Sequence, residues 1–118
     1  MKLIGSLTEQ QLREELIRSN RALQDGTSGR LAGVLASAGI DVAGAYVLNW
    51  TPEQFEDIYS VLISINEVLH VEIPRSEGAI QLEREMLASY ERDCSKSHRL
   101  RIAVARDLLR SKKIGPSR

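Results

Sequence analysis

The chain has 118 residues, 42% hydrophobic and 27% charged, which suits a single domain over 1–118 and excludes a disordered chain. No apolar run approaches the roughly 20 residues that a membrane helix needs, and Met1-Lys2-Leu3-Ile4-Gly5 is too short an apolar start for a secretory signal, so a cytoplasmic protein is expected. One cysteine, Cys94, and two histidines, His70 and His98, exclude an internal disulfide, a cysteine cage and a histidine-rich zinc site.

Thr8 and Gln11 fit a capping box, and Leu7 and Leu12 a hydrophobic staple, which predicts that a first helix starts there. Leu12, Leu16 and Leu23, with Ile17 beside them, continue it at helical spacing until Asp25-Gly26. Ser28 caps a second, shorter helix through Leu31, Val34, Leu35 and Ala38, ended by Gly39. The glycines at 26, 29, 33 and 39 are helix punctuation; no strand precedes them and no Lys-Ser/Thr pair follows, so they make no phosphate loop. Ala45 to Trp50 is rich in strand formers, and Thr51-Pro52-Glu53-Gln54 carries the signature of a short helix start. Tyr59, Val61, Ile63 and Ile65 alternate with Ser60 and Ser64, Asn66-Glu67 makes a turn, and Leu69, Val71 and Ile73 alternate with His70 and Glu72 until Pro74. That is a hairpin. Ala79, Leu82, Met86 and Tyr90 recur at helical spacing, as do Leu100, Val104 and Leu108 beyond a polar connector from Asp93 to Ser97. Leu100, Ile102 and Val104 also alternate, so 99–105 reads as helix or strand, with helix preferred for its Ala and Leu content. The basic tail 112–118 contains Gly115-Pro116 and is expected to fray.

These elements predict an α+β domain: two N-terminal helices, a small antiparallel sheet of about three strands, and two C-terminal helices on one sheet face. The expected core is Leu12, Leu16, Leu35, Val61, Ile63, Val71, Ile73, Leu82, Met86, Leu100, Val104 and Leu108.

Sixteen basic and sixteen acidic residues cancel overall but are unevenly placed. Residues 41–77 hold seven carboxylates against Arg75 alone, net −6, and residues 94–118 hold eight basic residues against Asp107, net +7. Either the two regions neutralise each other within the fold, or one of them faces a charged partner. Glu53, Glu56 and Asp57 lie close enough to share a helix face, as a solvated helix start, an acid–base pair or a cation site. His70 and Glu72 share one side of the hairpin with Ser60, Leu62 and Ser64, as surface decoration or as an acid–base pair. His98 most simply helps start the last helix. Cys94 precedes basic residues that would lower a thiol pKa, or is an inert small side chain. Arg99, Arg106 and Arg110 could touch phosphates without reading sequence, but the segment lacks interleaved aromatics for stacking. No catalytic residue, metal or cofactor is assigned.

The run Tyr46-Val47-Leu48-Asn49-Trp50-Thr51-Pro52-Glu53-Gln54-Phe55-Glu56-Asp57-Ile58-Tyr59-Ser60-Val61-Leu62-Ile63, followed by Val68 to Arg75, resembles small bacterial immunity proteins encoded beside polymorphic toxins, including those of contact-dependent growth inhibition. The resemblance implies a cytoplasmic protein without enzymatic activity that binds the C-terminal domain of its cognate toxin, in many cases a nuclease directed at transfer RNA, and blocks it. The acidic middle would then occlude a basic active site, with Glu53, Glu56, Asp57, His70 and Glu72 as the toxin-binding set and Tyr46, Trp50 or Phe55 as aromatic anchors if exposed. The alternative is a nucleic-acid-binding or regulatory protein using the basic C-terminal segment; a hydrolase using His70 and Glu72 stands third.

Overall fold

The alternating run around residue 60 forms the centre of the fold. The computed structural model describes the backbone of residues 2–27 and 29–114, and the side chains of 8–27 and 29–111. Strands β2 (Glu56–Ser64) and β3 (Glu67–Pro74) pair antiparallel, with Tyr59 opposite Val71 and Val61 opposite Leu69. Their turn is Ile65-Asn66, one residue earlier than the sequence suggests, because the register slips between Leu62 and Ser64. Pro74 closes β3 as expected.

Two further strands flank this hairpin. Strand β1 (Tyr46–Pro52) pairs with β2, and β4 (Gln81–Met86) pairs with β3, giving an antiparallel sheet in the order β1-β2-β3-β4. The sheet therefore has four strands rather than about three. Thr51-Pro52 does not start a helix: it ends β1, and the chain turns back through Gln54-Phe55 where the Glu53 amide donates to the Glu56 carbonyl at 2.8 Å. In that register the backbone of residue 52 points to the open side of β1, so the N–H that proline lacks would have bonded no neighbouring strand. The helix expected from Ala79 is strand as far as Met86, and only α3 (Leu87–Arg92) is helical. Leu82 and Met86 are accordingly 44% and 57% exposed and not core. Gln, Leu, Glu, Arg and Met are all good helix formers, so pairing with β3 overrides local propensity here.

The helices cover the sheet on both sides. Helix α1 (Lys2–Asp25) begins before the expected capping box, which leaves Thr8 inside it; Leu7, the staple partner, and Ser28, the expected cap of α2 (Arg30–Ser37), have no described side chains. Gly29 holds the N-cap position of α2, and Gly39 stops the helix at φ +81°, a backbone angle that residues with a Cβ rarely adopt. The ambiguous segment 99–105 lies inside helix α4 (Lys96–Ile114). Leu16, Tyr46, Leu48, Leu62, Val68, Leu87, Ile102 and Ala105 join α1, α3 and α4 to one face. Leu23, Leu31, Leu35, Val61, Leu69, Val71 and Ile73 join α2 and the end of α1 to the other. Each fully buried Leu or Val contributes about 1.5–3 kcal/mol of transfer free energy. Leu12, Ile63, Leu100 and Leu108 are half-buried at the margins. The C-terminal helices thus lie on one face as expected, with α1 beside them, while α2 holds the opposite face.

Asn20 locks α1 to the approach of β1. Only 5% exposed, its amide donates to the carbonyls of Val42 and Ala45 at 2.9 and 2.8 Å, and its Oδ1 accepts from Gln24 at 2.6 Å. Those carbonyls belong to a 3-10 turn, Val42–Gly44, and its C-cap, so one buried side chain ties α1 to the turn that leads into β1.

Candidate functional site

Alternation along the strands sorts the expected binding set. Glu56, Ile58, Ser60 and Leu62 share a face with Glu72, His70 and Val68; Asp57, Tyr59 and Val61 share the other with Ile73, Val71 and Leu69. Glu56, His70 and Glu72 therefore lie together on the face of α1, α3 and α4, Asp57 lies on the face of α2, and Glu53 stands at the β1–β2 turn. These carboxylates are on strands and a turn, not on one helix face. Among the described residues no group of three or more His, Cys, Asp and Glu is placed to hold a metal ion.

The β1–β2 hairpin end presents its aromatics. Trp50 is 56% exposed and Phe55 75%, whereas Tyr46 is buried in the core. The indole of Trp50 is held in place: it lies parallel to the Tyr59 ring at 6.2 Å and donates through Nε1 to Asp57 Oδ1 at 3.1 Å. Arg75 Nη2 donates to the same oxygen at 2.9 Å. Asp57 thus orients Trp50 and is neutralised by Arg75, while Glu53 and Glu56 stand on either side of Gln54-Phe55, exposed and half-buried respectively. Held aromatic rings beside carboxylates suit a protein surface that brings an apolar recess and positive charge.

A second polar constellation lies where the sheet meets α3 and α4. His70 Nδ1 is 3.1 Å from Ser60 Oγ and its Nε2 is 2.8 Å from Glu85 Oε1, while Ser89 donates to Glu85 Oε2 at 3.0 Å. The carboxylate partner of His70 is therefore Glu85, across the strand pair, and not Glu72. Hydrogen bonds from His70 and Ser89 hold the Glu85 carboxyl below its ordinary pKa. Tyr90 packs against the His70 ring, and its hydroxyl lies 2.7 Å from His98 Nε2. Burial raises the Tyr90 pKa and lowers that of His98, so the phenol keeps its proton and donates to a neutral imidazole. His98 does stand in the first turn of α4, but Ser95 Oγ accepts the His98 amide at 3.2 Å, so the serine makes the cap. Cys94 borders the same cleft, about 370 Å³ in volume, with Asn49, Glu85, Tyr90 and His98. Its thiol pKa is raised by burial in spite of Arg99, the opposite of an activated nucleophile, and its Sγ donates to the Tyr90 carbonyl at 3.3 Å. The helical spacing of 79–90 hides Glu85 as the partner of His70, and nothing in the spacing of Tyr90 and His98 shows that they meet; Ser60 beside His70 is visible in the alternation.

The basic segment turns to α1 instead of the acidic middle. Arg101 pairs with Glu15 at 2.8 Å, and Asp107 of the same helix takes Arg13 at 3.0 Å. Arg99 donates to the carbonyls of Glu91 and Arg92 at 3.0 and 3.2 Å, and the Arg106 Nε is buried without a hydrogen-bond partner among the described residues. Internal neutralisation of the acidic middle by α4 is therefore absent among the described ion pairs. No helix among the described residues is long and apolar enough to cross a membrane. No protein-family model, curated protein or solved structure matches this chain.

Proposed function

We propose that this protein is an inhibitory binding module, an immunity protein that caps the basic active site of a cognate toxin domain with the end of its β1–β2 hairpin. The observation that carries this reading is the exposed pair Trp50 and Phe55 set among Glu53, Glu56 and Asp57. Apolar rings anchor, and the surrounding carboxylates steer the approach to a phosphate-binding cleft and occupy it. Glu72 extends the acidic surface along β3, while His70 serves the Glu85 network behind it. A nuclease, including a transfer-RNA nuclease, is the class of target whose site is basic enough to suit this charge, and a cytoplasmic location goes with that role. The carboxylates do the work of a substrate mimic, so the reading needs no catalytic residue and no cofactor.

The test is co-purification of the tagged protein from its native cell. Expected is a stoichiometric basic polypeptide from the end of a large exported protein, lost when Trp50 and Phe55 are both changed to Ala or when Glu53 and Glu56 are both changed to Lys. Undiminished capture by both double variants eliminates the hairpin end as the contact. Recovery of nucleic acid without protein transfers the function to α4.

A further inference from the structure

Strand β4 forms one edge of the sheet and, among the described residues, is paired with β3 alone. One bond tells which of its backbone groups are spent: the Leu87 amide donates to the Asn66 carbonyl at 2.8 Å, in the register that sets Glu67 opposite Met86. Hydrogen-bonded and non-bonded pairs alternate along an antiparallel ladder. Glu85, Glu83 and Gln81 therefore turn their N–H and C=O groups to β3, and Leu82, Arg84 and Met86 turn theirs outward. An unpaired row of this kind is a template for another strand.

The side chains on the two sides of this edge differ in kind. Leu82 and Met86 point to the α2 face, 44% and 57% exposed, with Ile80 at 38% just before them. A groove of about 520 Å³ runs between Ile80 and Leu82 and Gly33, Val34 and Ala38 of α2 and its C-cap. Arg84 on this face is already paired with Glu67 at 3.3 Å. On the opposite face Glu83 is exposed, with no ion pair among the described residues, and Glu72 stands diagonally across from it on β3. A second copy of β4 is a poor occupant. Two-fold antiparallel pairing that keeps faces matched over nearly the whole strand sets Arg84 against Arg84 with Glu83 against Glu85, or Glu83 against Glu83, and like charges directly opposite are destabilising.

We propose that β4 is a docking edge for an extended segment of a partner protein whose residues alternate apolar and basic, added as a fifth strand. Its apolar side chains lie along Leu82 and Met86 and enter the groove beside α2; its basic side chains meet Glu83 and Glu72 on the other face. The hairpin end at Phe55 lies at the other edge of the sheet and shares only Glu72 with this one, so the outward amides of β4, its apolar groove and Glu83 carry this inference without the function proposed above.

The probe is a blocked heptapeptide alternating Lys and Val, with the Glu/Val peptide as its counterpart, titrated into the full chain while amide exchange is followed. Expected is saturable binding of the Lys/Val peptide that slows exchange at the amides of Leu82, Arg84 and Met86. Leu82→Pro deletes an outward N–H while sparing every bond to β3, and weakens binding about tenfold or more at unchanged Tm. Glu83→Lys, at an exposed position, shifts preference to the Glu/Val peptide and decides the matter if the proline variant fails to fold. The proposal is overturned by absence of binding, by protection elsewhere than β4, by equal binding of both peptides, or by a concentration-dependent dimer that Leu82→Pro dissolves, which would give the edge to a second copy.

Discussion

Tyr90 and His98 are a pair whose stability depends on which of them holds a proton. Burial, with a smaller contribution from Arg101, keeps the His98 pKa below its unfolded value near 6.5, so the ring is neutral in the fold and accepts from the phenol. A depressed folded pKa means that this contribution is complete above about pH 6.5 and is lost as pH falls toward the folded value, because the unfolded chain takes up the proton first. Glu85, also depressed, loses its contribution only in a lower window, as pH falls below the ordinary Glu value near 4.5. Urea unfolding at pH 7.5 and 5.5 separates the two. The native chain is expected to lose a few tenths to about 1 kcal/mol between these pH values through His98, a half-exposed ring being partly screened by solvent. His98→Gln keeps an acceptor for Tyr90 and removes the titration, so its stability is expected to change less over the same interval. An equal loss in the variant would place the pH dependence on another group.

The elements differ in how plainly the chain declares them. Tyr59, Val61 and Ile63 against Leu69, Val71 and Ile73 announce β2 and β3 because a strand sends alternate side chains to opposite faces and this set packs under α2, and Gly39 announces the end of α2 because its φ of +81° excludes most side chains. Thr51-Pro52 misleads because proline is as acceptable on the open side of an edge strand as at a helix start. Strand β4 misleads more deeply. Gln81 to Met86 favours helix locally, and its strand state rests on partners far along the chain, Glu67 for Arg84 and His70 for Glu85. The site was legible to the same extent: the carboxylates of the middle region could be seen, but their division between two faces, the partnership of His70 with Glu85 and the exposure of Trp50 and Phe55 all depend on the register. If tertiary pairing alone makes β4, a peptide covering residues 79–92 removed from the protein should show helical circular dichroism that grows with trifluoroethanol, incomplete in water because helices under about 12–15 residues are marginal. A strand signature in the dilute monomeric peptide would show that β4 is encoded locally after all.

At the scale of the molecule the balanced charge conceals a polar distribution. Pairs between Arg101 and Glu15 and between Arg13 and Asp107 fasten α4 to α1, so among the described ion pairs that helix is joined to α1 and not to the acidic middle. Near the hairpin end Arg75 offsets Asp57, while Glu53 and Glu56 have no ion pair among the described residues. A field of this kind acts on approach more than on residence: steering raises the association rate, and salt shortens its reach from about 10 Å at 0.1 M to about 3 Å at 1 M. For the toxin domain proposed as partner, association is expected to slow about tenfold or more between low and high salt, with dissociation nearly constant. Changing Glu53 and Glu56 to Lys should slow association at low salt and flatten its salt dependence, whereas Phe55→Ala should leave association alone and speed dissociation, because a desolvated anchor holds a complex it does not attract. Surface plasmon resonance at graded ionic strength resolves the two rates. Association that ignores salt in the native chain would remove the carboxylates from the mechanism and leave the aromatic pair to account for binding alone.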